Sequence, residues 1–220
     1  MTWLRAFYRS SIGKKILMAV TGILLVGFLL SHMVSNILIF KEPASLDRYG
    51  EWLRSFGPLL WVARFGLLGL AVLHIVSALE LTRMNRRARP VAYDRLTPDA
   101  SSWGARSMRV GGFILLFFIV FHLLHFTTGT VHPDFRAGEV GRNMITGFQL
   151  QPAVVAFYVV AMVALGLHLS HGVWSFFQTL GLHHPRWNTA RRVLAWVLTI
   201  VIAGGLGIIP LGVAAGWAGR

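Results

Sequence analysis

Between Ile16 and Phe40 the chain runs for twenty-five residues without one Asp, Glu, Lys or Arg. About 20 apolar residues in a row are what an α-helix needs to cross the hydrocarbon core of a bilayer. No water reaches backbone N–H and C=O groups there, so a run of this length has to satisfy them within its own helix. Four more such runs follow, and the expected spans cover about 16–40, 59–82, 110–130, 152–178 and 193–215. The first is too long for the apolar part of a cleaved signal, and no small-residue cleavage site ends it. The chain therefore reads as an all-α integral membrane protein, one five-transmembrane-helix bundle forming a single domain over 1–220. Composition agrees: 13 % of the residues are charged, against about a quarter in a soluble domain.

The connections carry their own patterns. The segment S-L-D-R-Y-G-E-W-L-R after the first run can form a short interfacial helix, and V-H-P-D-F-R-A-G-E-V-G-R-N after the third another amphipathic turn. Pro152 stands at the first turn of the fourth span, where no helical hydrogen bond is lost. The formal charge of +13 would point to nucleic acid in a soluble protein. Here it sorts by side instead. Fourteen Lys and Arg fall in the N-terminal segment and the second and fourth loops, six in the alternate segments, and Arg64 lies within the second span. The positive-inside rule then places the N terminus and both strongly basic loops in the cytoplasm and the C terminus outside, in a cell membrane crossed several times. Glu80, at the inner end of the second span, is expected to cap it or pair with the basic loop.

Four of the spans hold a histidine at depth: His32 in F-L-L-S-H-M-V-S-N, His74 in A-V-L-H-I-V-S, His122 in F-I-V-F-H-L-L-H-F and His168 in V-A-L-G-L-H-L-S-H-G-V-W-S-F. An ionisable side chain inside a membrane is costly, and marks a functional site unless something simpler satisfies it. One such histidine can hydrogen-bond across a helix pair. Four, on four successive helices, point to ligation. At 1.5 Å per residue, His32 and His122 lie roughly 24 and 20 Å from the cytoplasmic ends of their helices, His74 and His168 roughly 12 and 15 Å. Depth thus pairs His32 with His122 near the outer face and His74 with His168 near the inner face, about 8 Å apart in level. An iron held by two facing imidazoles serves electron transfer rather than oxygen chemistry. Cysteine is absent, which excludes a disulfide, an iron–sulfur cluster and a thiolate haem ligand in this chain, and without C-x-x-C-H the expected pair of haem b groups is not covalently attached. His125 and His171 follow expected ligands by three residues and so share nearby faces; they are expected to pack or support. His132, His183 and His184 fall in loops, where solvation is the expectation. Trp174 is expected against the inner haem or an interface.

At these residues the chain resembles the cytochrome b subunit of succinate:quinone oxidoreductases, in its single-subunit, five-helix, dihaem b558 form. The resemblance covers nearly the whole chain and rests on T-G-I-L-L-V-G-F-L-L-S-H-M, L-H-I-V, F-H-L-L-H and above all H-L-S-H-G-V-W-S-F-F-Q-T-L-G. It implies that His32 and His122 hold the distal haem and His74 and His168 the proximal one, taking His122 over His125 and His168 over His171. It also implies a flavoprotein subunit oxidising succinate in the cytoplasm, an iron–sulfur subunit passing electrons on, and a quinone, usually menaquinone, as acceptor. Lys15, Arg83 and Arg109 would lie at the level of the haem propionates and the iron–sulfur partner. An acidic residue of the outer loop would serve the quinone site, with Asp47 and Glu51 as its candidates. The rival readings are a dihaem anchor of another respiratory dehydrogenase and a haem-free transporter with a histidine proton relay.

Overall fold

Pro43, Pro58 and Pro152 each stand in the first turn of a helix, where the missing N–H would have had no partner and the fixed φ already suits the helix. The computed structural model describes residues 2–88 and 103–218. Its elements, in chain order, are α1 (Thr2–Arg9), α2 (Ser11–Asn36), α3 (Pro43–Ser55), α4 (Pro58–Arg87), α5 (Trp103–Phe126), α6 (Val140–Gln149), α7 (Pro152–Thr179), α8 (Asn188–Thr199) and α9 (Gly205–Ala214). A 3-10 turn over Ile37–Phe40 prolongs α2, and a π-helical turn over Ile200–Gly204 joins α8 to α9. Among the described residues, five segments are long and apolar enough to cross a membrane: Ser11–Phe40, Pro58–Arg87, Ser107–Phe126, Pro152–Thr179 and Pro185–Ala214. Residues 89–102, which include the middle of the basic loop with Asp94 and Asp99, lie outside the described residues.

The loop expected to hold a short helix does so, as α3, while the loop expected to hold an amphipathic turn gives way to a helix, α6, that starts in the expected segment at Val140 and runs past it to Gln149. The third span stops at Phe126 rather than 130. Thr127 and Thr128 both send their N–H back to Leu123 O, the two threonine hydroxyls at 128 and 130 bond each other at 2.8 Å, and Gly129 turns to φ +74. Threonine hydroxyls that bond locally, followed by a left-handed glycine, end a helix. At the other ends, α4 continues to Arg87 and α5 begins at Trp103. Much of what reads as basic loop is helix, because Arg and Met extend a helix in water as readily as Leu does in lipid.

The spans assemble as two helix pairs, α2 on α4 and α5 on α7. Helix α7 is the hub, and also packs on α8, α9, α2 and α6. Its buried residues Val155, Tyr158, Ala161, Met162, Leu165, Leu169 and Val173 recur at helical spacing along one face. They meet Ile202 and Ala203 midway, and Ile209, Val213 and Phe148 toward one end. At that end α3 packs on α6. A Cβ on Gly141 would stand 2.3 Å from Pro43 O, so only glycine allows the two short helices to approach this closely. The carboxylate of Asp47 completes the contact by accepting the Gly141 N–H at 3.0 Å, one of the first-turn donors of α6 that have no partner inside their helix.

Glu80 pairs across helices: its carboxylate accepts from Lys14 Nζ of α2. The Lys14 ammonium also lies 4.0 Å from the centre of the Tyr8 ring. The two side chains differ in burial, 6 % exposed for Lys14 and 36 % for Glu80. Removing the carboxylate strands a buried cation, whereas removing the cation leaves a carboxylate that reaches water. Glu80→Leu should therefore destabilise the bundle by about 1–3 kcal/mol, below the 3–5 kcal/mol typical of a fully buried pair because solvent screens this one. Lys14→Leu should cost clearly less. Thermal unfolding of the detergent-solubilised protein followed by circular dichroism checks this, and equal losses would rule out the asymmetry.

Candidate metal centre

The two histidine pairs span the seam between the helix pairs. His32 of α2 faces His122 of α5 with ring centroids 5.8 Å apart, and His74 of α4 faces His168 of α7 at 6.3 Å. Each partnership takes one ring from α2 or α4 and one from α5 or α7. The backbones that carry them do not pack closely: neither α2 with α5 nor α4 with α7 is among the well-packed helix pairs. Across this seam it is the imidazoles that reach toward each other. The partners are the ones expected from depth, and the rings cross at 87° and 59°.

In each pair one imidazole is held from behind by a hydroxyl. Thr21 Oγ1 lies 3.1 Å from His74 Nδ1, and Tyr158 Oη 3.1 Å from His122 Nδ1. An acceptor at Nδ1 fixes the tautomer that leaves Nε2 free to bind a metal. The other two rings are held less firmly: among the described residues His168 Nδ1 is buried without a hydrogen-bond partner, and His32 Nδ1 has Asn36 Nδ2 at 3.4 Å. The α2 backbone approaches His74 closely at Gly22, where a Cβ would touch the ring at 3.4 Å. Among the described residues no group of three or more His, Cys, Asp or Glu side chains could hold a metal ion. What the seam provides is a two-imidazole donor set, twice. That set fits an iron whose remaining positions are filled by a macrocycle, and the separation of the ligand-bearing helices fits a flat one.

The neighbouring residues sort as follows. His125 is fully buried and bonds through Nδ1 to Tyr158 Oη at 3.1 Å. His132 is buried rather than solvated: its Nε2–H donates to Asn143 O at 2.8 Å, and its Nδ1 accepts from the Asp134 N–H. The loop around it is pinned by Asn143 bonds to the Arg136 backbone and by the Arg142–Asp134 ion pair; Arg142 beside it holds the Asp134 carboxyl below its usual range. His183 and His184 are exposed. The guanidinium groups of Arg191 and Arg192 lie 4.8 and 5.2 Å from the Trp174 ring, so this tryptophan faces α8. Asp47 is engaged at α6, while Glu51 is exposed. Tyr158 escaped the sequence reading, since a tyrosine in an apolar run reads as packing; its position three turns before His168 on a helix that also faces His122 became visible only with the bundle assembled.

Compared with known proteins, the chain is 24 % identical over 184 residues to a curated relative, an alignment covering 82 % of this chain and 84 % of the other. It is similar to the succinate dehydrogenase cytochrome b558 subunit of Bacillus subtilis. No family model and no solved structure matches the chain. The relative bears the name of the family that the histidine motifs resemble, over a stretch long enough to take in most of the five spans.

Proposed function

We propose that the chain is the dihaem cytochrome b that anchors a succinate:quinone oxidoreductase, carrying electrons from an iron–sulfur subunit to a quinone, usually menaquinone. The observation that carries this reading is the crossed pairing of four intramembrane histidines at two levels, in a chain similar to a cytochrome b558 subunit. His74 and His168 would hold one haem b, His32 and His122 the other. When bound between two imidazoles, haem b supplies a one-electron carrier closed to oxygen. The work of this chain is to orient the rings. Thr21 and Tyr158 fix two of them by hydrogen bonds, and the apolar spans keep water from all four.

The charge asymmetry supports a His74–His168 level near the cytoplasm, on the side of a flavoprotein and an iron–sulfur partner. The quinone would then react beside the His32–His122 pair, toward the outer surface. Of the two acidic candidates, Asp47 already holds α6, which leaves Glu51 as the exposed carboxylate able to exchange protons with outside water.

Affinity purification of the tagged chain from mild-detergent extracts tests the whole reading. The expected result is two b-type components in the reduced-minus-oxidised spectrum and, by mass spectrometry, a flavoprotein and an iron–sulfur protein in stoichiometric amounts. An intact chain without haem would point to the transporter reading. Two haems with different catalytic partners would point to another respiratory dehydrogenase.

A further inference from the structure

Tyr158 is 5 % exposed, and its hydroxyl lies 3.1 Å from Nδ1 of His122 and 3.1 Å from Nδ1 of His125. A phenol has one hydrogen to give and lone pairs to accept with, so the two imidazoles cannot be treated alike. We propose that Tyr158 is a positioning residue for the His32–His122 centre: its oxygen accepts the Nδ1–H of His122, and its own hydrogen goes to Nδ1 of His125. The assignment rests on the haem reading given above.

The tautomers follow from elimination. If Nε2 of His122 faces an iron, the neutral ring keeps its hydrogen on Nδ1, and Tyr158 Oη is its hydrogen-bond partner there. If His125 also donated from Nδ1, the phenolic hydrogen would be stranded among Phe118, Phe121, Phe126 and Phe148, the rings that surround Tyr158. A buried hydroxyl left without an acceptor costs about 1–3 kcal/mol. The hydrogen therefore points to His125, whose own hydrogen then sits on Nε2. A group of complementary chemistry stands ready for that nitrogen, the buried Gln151 Oε1 just before α7.

Two further features lock the arrangement. Helix α6 closes over His125 at Gly147, where a Cβ would come within 3.0 Å of His125 Nε2 and 2.9 Å of His132 Nε2. His125 therefore cannot swing away without moving α6. The other centre shows the contrast. There Thr21 accepts from His74 but passes its own hydrogen to Leu17 O at 2.8 Å, so the relay ends on the backbone of α2. At the His32–His122 centre the acceptor is itself polarised by a second imidazole.

An acceptor behind a ligand imidazole raises its basicity and favours the oxidised metal. Redox titration of the purified complex, with low-temperature spectra and electron paramagnetic resonance to separate the two haems, tests the assignment. Tyr158→Phe keeps the ring and removes only the hydroxyl. The expected result is that both haems remain and one midpoint potential rises, with a severalfold larger reduced fraction at fixed potential, while the other stays put; a tenfold change corresponds to about 59 mV for one electron. His125→Leu should move the same haem in the same direction by less, and Thr21→Val should move the other haem. Unshifted potentials in a Tyr158→Phe complex that holds both haems would overturn the assignment and leave the haem reading standing. If that variant loses its haems, His125→Leu decides, an unshifted potential counting against the assignment and a shift confined to the same haem for it. A wild-type complex without two b-type haems would overturn the function proposed above, and this assignment with it.

Discussion

His74→Ala and His168→Ala are expected to remove the same b-type spectral component from the membrane, and His32→Ala and His122→Ala the other one. The members of each pair come from different helix pairs, and their rings meet at 6.3 and 5.8 Å although the helices that carry them do not pack closely on each other. Losing either ring would leave a single imidazole where the proposed centre needs two to hold its haem. The expected effect is complete loss of one component, not a graded weakening. The retained haem serves as an internal check that the bundle has assembled. His125→Ala should keep both haems although His125 is the most deeply buried of the histidines, because its Nδ1 faces Tyr158 rather than His32. Difference spectra of membranes from the five variants are sufficient. If His32→Ala and His168→Ala lost the same component, the pairing proposed for the centre would fall.

The second large effect concerns the membrane potential. Under the proposed function electrons enter near the basic, cytoplasmic ends of the helices and leave beside the His32–His122 pair. Negative charge then moves toward the positive side of an energised membrane, so the potential assists succinate-to-quinone transfer and opposes the reverse. One full charge crossing is worth about 2.3 kcal/mol per 100 mV, or roughly fiftyfold in an equilibrium constant at 1.36 kcal/mol per tenfold. In energised vesicles, succinate oxidation by endogenous quinone should slow markedly when an uncoupler collapses the potential. Glu51→Gln should slow turnover with both haems in place. Asp47→Asn should be milder, since the amide oxygen can still accept the Gly141 N–H that the carboxylate accepts now. An uncoupler-insensitive rate, together with normal turnover in Glu51→Gln, would remove the outer quinone site.

The parts of this molecule legible in the sequence are those set by periodicity and length. Long, predominantly apolar runs mark the spans, because the bilayer imposes one length on all of them, and residue count along a helix converts directly to depth. The histidine partnerships needed only that conversion. Contacts between residues far apart in the chain were not legible. Lys14 meets Glu80 across 66 positions, and Asp47 reaches Gly141 across 94; nothing local to either residue announces its partner. The burial of His132 depends on Asn143, eleven positions away on α6. Helix ends were misjudged where hydropathy and helicity part company: Arg83, Arg86 and Arg87 leave the apolar run but continue α4.

The contact between α3 and α6 gives the two ends of the bundle different characters. Near the His32–His122 pair, Pro43 and Gly141 touch backbone to backbone, Asp47 bridges them, and α6 presses on His125 and His132. This polypeptide thereby builds its own roof over one centre, and whatever reaches that centre must come sideways, from lipid, or through a gap in the roof. At the opposite end α4 continues through its basic residues to Arg87, and α5 begins at Trp103, ahead of the apolar span that opens at Ser107. Under the proposed function, one end is finished architecture and the other is half of a joint.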